Sequence, residues 1–296
     1  MNFWDPNFPL RRCVVQSLDG IHESSADDSS LLPTKQIGQI LEDAVRLRLL
    51  SDVPLGAFLS GGIDSSAVVS MMTSSVSNPV QTLSVTFKEK EYDESKFSTL
   101  IANALGTQHH DLLLSENALL ENLPLALEAM DQPTVDGINT YMISQVARNK
   151  GLKVALSGLG GDELFAGYDS FLLVPSLNRI KIIMSALPSL LRKQLGHIVS
   201  KLVPLSDKNT KLKHMIKGKY SGAHVYFLFR ALFCEEEVAT LFADSSIKDA
   251  EIRKNLRNTQ QLIDSKSDLS PVDLISYLEL TQYMATTLLR DTDMMS

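Results

Sequence analysis

Residues 60–66 read Ser-Gly-Gly-Ile-Asp-Ser-Ser and gather adjacent glycines, hydroxyl side chains and one carboxylate into a single bend. The apolar segment 54–59 runs into this bend, and a helix-like run leaves it from about Asp64. Where a strand end meets a helix start, unpaired amide N–H groups and the helix dipole together favour an anion. Gly61 and Gly62 remove the Cβ atoms that would hold a phosphate off the backbone, and Ser60, Ser65 and Ser66 can add hydroxyl donors. Asp64 has two readings: it caps the helix, or it holds Mg²⁺ against phosphate oxygens that it would otherwise repel. The bend is not a Walker loop, since no Gly-Lys-Ser/Thr follows, and it lacks the spaced glycines of a dinucleotide fingerprint.

A second bend, residues 157–168, reads SGLGGDELFAGY after the apolar run 152–156. Gly158, Gly160 and Gly161 permit close backbone approach, while Asp162 and Glu163 bring carboxylates to the strand end. The bland reading is a glycine turn whose acids complement a helix start. Other polar candidates carry less. His109 and His110 adjoin in an expected strand, so they face opposite ways, cannot form one ligand pair, and read as packing or surface residues. Met71 and Met72 read as core filling, and Lys150 and Lys153 as surface charges. Cys13 and Cys234 stand apart, without zinc-ligand spacing or disulfide density, which fits structural thiols in a reducing compartment.

These bends need a scaffold, and the rest of the chain supplies one. Residues 34–48 place Ile37, Ile40, Leu41, Ala44, Val45 and Leu47 at helical spacing, with Thr34 as an N-cap and one face committed to a core. Short apolar runs at 54–59, 80–87, 108–114 and 152–156 then alternate with helical patterns from about 64, at 93–105, up to 130 and at 140–149. Strand, helix, strand in this rhythm predicts an α/β fold: a largely parallel sheet with helices on both faces, joined by right-handed crossovers. Beyond Tyr168 the strand signals fade, and the runs 225–233, 235–242 and 270–291 predict a helical lobe, with Ser270-Pro271 as a start signal. The expected organisation is a linker or arm over 1–33, an α/β core over 34–170 and a helical part of the same domain over 171–296.

Composition sets outer limits. A chain of 296 residues that is 44% hydrophobic can bury a large core. A formal charge of −7 without a basic block argues against a nucleic-acid partner. No apolar run is long enough to cross a bilayer, since 182–191 is short and broken by Pro188, so a soluble cytoplasmic protein is expected.

The string SGGIDSS resembles the pyrophosphate loop of the ATP pyrophosphatases, which split ATP between its α and β phosphates to adenylate a substrate. Within that group, SDVPLGAFLSGGIDSS together with SGLGGDELFAGY resembles the synthetase domain of glutamine-dependent asparagine synthetases. The intervening ANALGTQHH and DQPTVDGINTYMISQVARNKGLKVAL are similar to that family too, and the resemblance runs from roughly Trp4 to Ser296. It implies an adenine nucleotide alpha hydrolase-like fold. It also implies ATP surrounded by Phe58, Leu59, Ser60, Gly61, Gly62, Asp64, Ser65, Ser66, Val85 after the second strand, Ser157 and Gly158, with Asp64 and Asp162 as magnesium-binding aspartates. The implied chemistry is attack of the aspartate β-carboxylate on the α-phosphorus, followed by displacement of AMP by ammonia.

Departures from the family pattern qualify those expectations. Leu159 stands where many asparagine synthetases carry a glutamate, and leucine can neither shuttle a proton nor bind an amine. Asn2 stands where a glutaminase half would place its cysteine nucleophile, so ammonia from glutamine is expected to come from a glutaminase outside this chain, as a separate partner; a homodimer is the other partner expectation. The segment LLRDTDMMS resembles the family's LLRDTDRMSMA, with Met294 in place of arginine and no continuation into the family's later lysine. The expectation is therefore a truncated synthetase domain in which Asp291 and Asp293 are solvated at a frayed end. The alternatives are a related amide ligase with another substrate and a nucleotide-binding chain without turnover.

Overall fold

The computed structural model describes residues 32–87, 95–134, 136–186, 188, 191, 225–231, 233, 254 and 257–296. The expectations for residues 1–31, Cys13, Cys234 and 235–242 lie outside them. The described residues form two compact units, one running to Gly160 and taking in Ala285–Ser296, the other spanning Gly161–Met284. This division falls at 160/161, whereas the sequence reading ends its α/β core at 170.

The first unit is built on four parallel strands, β1 (Leu55–Phe58), β2 (Gln81–Phe87), β3 (Gln108–Leu114) and β4 (Val154–Leu156), in the order β3-β2-β1-β4. Helices α1 (Leu32–Arg48), α2 (Ile63–Ser75), α3 (Ser95–Leu105), α4 (Glu116–Ala129) and α5 (Gly137–Asn149) intervene. Side chains alternate across a strand, so Ala57 and Phe58 face opposite ways and seed two cores. Ala57 packs with Val45 of α1, Val69 and Met72 of α2 and Ala102 of α3. Phe58 packs on the other face with Leu83, Leu112 and Val146 and Ala147 of α5. Helices thus cover both faces, as an all-parallel sheet requires. Met72 is fully buried and fills its core without a further role; its side chain contributes about 1.5–3 kcal/mol by leaving water.

The sheet also fixes where the two glycine bends lie. From β1 the chain winds toward β2 and β3, then crosses back to place β4 on the other side of β1. The winding reverses between β1 and β4, and in open α/β sheets the crevice at the carboxyl ends of such a strand pair binds ligands. Residues 60–66 follow β1 and residues 157–160 follow β4.

Helix α1 departs from its sequence reading. It begins at Leu32, so Thr34 lies inside the first turn and is not the N-cap; Pro33 is tolerated there because first-turn amides have no intrahelical acceptor. Only Val45 of its apolar stripe is buried, with Leu49 packed against the same core, while Ile40 and Leu47 remain 49% and 65% exposed.

The described residues of the second unit contain helices and no strand: α6 (Gly161–Phe165), α7 (Ser170–Ala186), α8 (Val225–Arg230), α9 (Pro271–Leu278) and most of a π-helical run, Glu279–Leu288. Helix α10 (Leu289–Met295) continues the run. Phe171 and Val174 of α7, Val225 and Leu228 of α8 and Ile275 and Leu278 of α9 form the second unit's core. The expected start at Ser270 is realised: its hydroxyl accepts from the Asp273 amide at 3.2 Å and donates to the Asp273 carboxylate at 2.8 Å, with Pro271 next in line. Among the described residues no helix is long and apolar enough to cross a membrane.

Candidate functional site

Leu59 ends the strand by turning into the core at 1% exposure. Its amide donates to the Leu83 carbonyl at 2.8 Å, and its carbonyl accepts from the Ser84 hydroxyl. Leu59 is therefore the floor of the bend, with side chain, donor and acceptor all engaged by protein. Ser60 then emerges into solvent, and its amide donates to Ser65 Oγ at 3.3 Å. Ser60 Oγ lies 3.0 Å from Ser65 Oγ and accepts from the Gly62 amide at 3.2 Å, while Ser65 Oγ donates to the Gly62 carbonyl at 3.3 Å. These hydroxyls tie the bend to the first turn of α2. Ser66 Oγ is buried with no hydrogen-bond partner.

The glycines serve different ends. Gly61 has φ +83°, and a Cβ there would stand 2.6 Å from Phe97 Cβ and 2.6 Å from the Ser98 amide of α3. Packing and backbone conformation demand this glycine. Gly62 is the exposed one, where an added Cβ meets only Ser60 Oγ at 3.3 Å. It occupies the N-cap of α2, and no side chain caps the helix. Asp64 sits one residue inside the first turn, so the capping reading of this aspartate does not hold. An uncapped helix start, an open glycine and a buried unpartnered hydroxyl leave donors at this point for an outside acceptor.

The second bend closes on the first. A Cβ on Gly158 would lie 2.8 Å from the Ser65 amide nitrogen and 3.0 Å from the Asp64 carbonyl carbon and Cβ. Strand pairing puts this contact there, since β1 and β4 run side by side with Ala57 opposite Leu156. Ser157 and Gly158 are half-buried, and Leu159 is 43% exposed with its amide 3.5 Å from Ser157 Oγ. Val85 lies within β2, half-buried and two residues before the strand ends, so it does not follow the strand as expected.

Asp162 and Glu163 belong to the second unit and part company there. Asp162 is half-buried at the start of α6, and its carbonyl accepts from the Gly167 amide at 3.0 Å. Glu163 is buried; its carboxylate accepts from Tyr168 Oη at 3.0 Å and its carbonyl from Ser276 Oγ at 2.7 Å. That leaves Asp162, not Glu163, as the accessible acid of the motif. Among the described residues no three His, Cys, Asp or Glu side chains gather to hold a metal by themselves. Magnesium at a nucleotide takes one or two carboxylates and completes its shell with phosphate oxygens and water, so a single acid such as Asp64 in the first turn of α2 is enough to fit that ion.

Sequence reasoning missed a buried polar cluster in the second unit. Glu279 is fully buried and accepts from Ser170 Oγ and from Tyr226 Oη at 3.0 Å. Arg230 pairs with it: Nε donates to one oxygen at 3.2 Å, and Nη2 lies 2.8 Å from the other as an ion pair without hydrogen-bond alignment. The guanidinium lies 4.5 Å from the ring centre of Tyr168 and 3.8 Å from that of Tyr283. Burial, reinforced by the Glu279 charge, raises the Tyr226 phenol well above its ordinary value; burial and the Glu163 charge do the same for Tyr168. The only trace in the sequence is a single acid inside the apolar run 275–284.

Asp291 requires a correction as well. It is 3% exposed, not solvated: Arg290 donates to one oxygen at 2.8 Å and Thr134 Oγ1 donates to the other. Asp293 is exposed, as expected.

The fold is that of a doubly wound α/β protein with glycine bends side by side at the carboxyl ends of β1 and β4. The family model described as Asparagine synthase matches residues 36–296, so this chain belongs to the asparagine synthase family. The glutamine-hydrolyzing asparagine synthetase 1 of Bacillus subtilis is 28% identical over 265 residues, covering 88% of this chain and 40% of that protein. The glutamine-hydrolyzing asparagine synthetase 3 of the same organism is 29% identical over 165 residues, 51% of this chain and 26% of that protein. The amidase chyE of Penicillium rubens is 29% identical over 185 residues, 57% of this chain and 26% of that protein. The chain thus spans 26% to 40% of the length of these curated relatives.

Proposed function

We propose that this chain is the synthetase portion of an amide-forming ligase that binds ATP with Mg²⁺, adenylates the β-carboxylate of aspartate and passes the acyl group to ammonia. One observation carries the reading: Gly158 rests on the backbone of Asp64 and Ser65, joining both glycine bends at the point where the sheet reverses its winding. Ser60, Gly61, Gly62, Ser65 and Ser66 hold the phosphates through the helix-start amides and hydroxyls, and Phe58, Val85, Ser157 and Gly158 line the remainder, over the floor made by Leu59. Asp64 is the magnesium ligand; the same role for Asp162 rests on its match to the family motif. Bound magnesium offsets charge on the polyphosphate and on departing pyrophosphate. The aspartate carboxylate attacks the α-phosphorus, the bond to the β-phosphate oxygen breaks, and pyrophosphate leaves with that electron pair. Ammonia then attacks the acyl carbon, loses a proton, and AMP departs. The residues of the bend assist by holding donors fixed where that charge develops. The ammonia is supplied by a glutaminase outside this chain, and the protein works in the cytoplasm, as a homodimer or with that partner.

Calorimetry of ATP with and without Mg²⁺, followed by assay of AMP and pyrophosphate with aspartate and ammonium, tests the reading. Magnesium-dependent binding, weakened at least about tenfold by Asp64→Asn, and AMP formation support it. Folded protein that binds no ATP refutes it.

A second substrate reading is favoured by Leu159, which is exposed in the second bend and departs from the glutamate of the family pattern that this bend resembles. The similarity to a protein named an amidase is compatible with it. On this reading the same adenylation serves another carboxylate or amine. ATP–pyrophosphate exchange across a panel of amino acids separates the two, and exchange with aspartate alone rejects the second.

A further inference from the structure

A strand buried in a parallel sheet is ordinarily a continuous apolar run, because each unsatisfied hydroxyl inside costs free energy. Central strand β2 departs from this on one face only, where Thr82, Ser84 and Thr86 are all buried. Thr86 Oγ1 is satisfied by donating to the Leu112 carbonyl at 3.2 Å. The other two hydroxyls converge on His109 of β3.

Thr82 Oγ1 lies 2.9 Å from His109 Nδ1 and 2.9 Å from Thr107 Oγ1. Asp111 Oδ1 lies 2.9 Å from His109 Nε2, and Ser84 Oγ lies 3.4 Å from the same nitrogen. With its proton assigned to Nε2 the ring donates to Asp111 and accepts from the Thr82 hydroxyl at Nδ1, while Thr107 donates to Thr82 at 2.9 Å in preference to the Ala102 carbonyl at 3.5 Å. This arrangement satisfies the buried hydroxyl of Thr82 and fixes the ring, whose Asp111 partner stays 39% exposed.

Two routes lead from the locked ring to the bend. Ser84 has its ring-facing side occupied by His109, and its hydroxyl donates to the carbonyl of Leu59, the residue directly before Ser60. Asp111 Oδ2 accepts from Thr99 of α3 at 3.4 Å, and the neighbouring Phe97 and Ser98 form the wall on which Gly61 rests.

We propose that His109 is a positioning residue for the glycine bend: it orients Ser84 beneath Leu59 and steadies the α3 wall behind Gly61, holding the bend in its ligand-ready form. The inference rests on the nucleotide reading for its ligand, and on geometry alone for the bend. His109 bonds to Thr82, Ser84 and Asp111, which lie outside residues 60–66, so its effect is transmitted.

The test compares wild type with His109→Phe, His109→Gln, Ser84→Ala and the double variant His109→Phe/Ser84→Ala. Hydrogen exchange of the 60–66 amides is measured without nucleotide, and magnesium-ATP affinity by calorimetry. Loss of a buried hydrogen bond predicts about tenfold faster exchange and about tenfold weaker affinity in His109→Phe and in Ser84→Ala. His109→Gln, which can still donate toward Asp111, stays within about threefold of wild type, and the double variant is no worse than the weaker single one. Unchanged exchange at 60–66 in folded His109→Phe overturns the proposal. So does faster exchange spread evenly over the unit and not rescued by glutamine, which marks a purely structural histidine. Additive effects in the double variant overturn the route through Ser84. If wild type binds no ATP the nucleotide reading falls, and the exchange pattern still decides the positioning claim.

Discussion

At residue scale, Gly158 is the clearest test of the site, because the space its Cβ would need is filled by main-chain atoms of Asp64 and Ser65. Backbone cannot step aside as a flexible side chain can. Gly158→Ala is expected to cost about 1–3 kcal/mol through overpacking, read as a lowered denaturation midpoint, and to weaken magnesium-ATP binding more than Gly62→Ala. Asp64→Asn keeps the side chain's size in the first turn of α2, so it should move the denaturation midpoint less than Gly158→Ala while weakening magnesium-dependent binding at least about tenfold. The sequence identified both glycine bends and their acids, but not the neighbour that Gly61 packs against. Its positive φ and its contact with α3 require glycine there whether or not a ligand approaches. A contact between residues 61 and 97 has no signature in local composition, since each position reads acceptably by itself.

At the scale of elements, strand and helix positions were largely legible, because a switch in hydrophobic period is a local property. The helix ends were less so. Thr34 has the chemistry of a cap but falls inside α1, whereas Ser270 has the same kind of signal and fulfils it. Replacing Ser270 with alanine should therefore cost about 1 kcal/mol in chemical denaturation, and Thr34→Ala close to nothing. Helix α10 also changed meaning in the structure. It docks through Asp291, whose carboxylate takes Arg290 and Thr134, and Thr134 Oγ1 accepts in turn from the Gly137 amide at 3.3 Å. Asp291→Ala should destabilise the first unit by about 2–3 kcal/mol, less than the usual cost of breaking a buried pair because Arg290 keeps some access to water. Thermal unfolding monitored on the first unit checks this, and an unchanged midpoint would return Asp291 to the surface.

At the scale of the whole molecule, the two units differ in what holds them. The first is a sheet with apolar cores on both faces; the second adds a buried acid, a cation and tyrosines to its helical core. That difference predicts a pH response. The phenols of Tyr168 and Tyr226 are raised above their ordinary value of 10.0 in the folded chain, by burial first and by Glu163 and Glu279 next. Their stabilisation is complete below that value. As pH rises past it, the unfolded chain releases phenolic protons that the folded chain keeps, so stability falls with rising pH. Denaturation followed between neutral and strongly alkaline pH should show this loss in the second unit, with a shallower slope in Tyr226→Phe. An identical slope in the variant would remove Tyr226 from the account.

By itself the sequence determined what is periodic or contiguous. That covers an alternating α/β chain, glycine bends at strand ends, a helical segment after them, and paired motifs specific enough to imply the family. Only the tertiary structure decided which residues meet. It showed that the chain reverses its winding between β1 and β4, that Gly158 lies against Asp64, that Glu163 and Glu279 are buried while Asp162 keeps access, and that Asp291 is a docking residue. The reason is physical. Period and turn chemistry are written within a few residues of chain, whereas burial and hydrogen-bond partnership depend on surfaces brought together from 100 or more positions apart, as with Thr134 and Asp291 or Ser170 and Glu279.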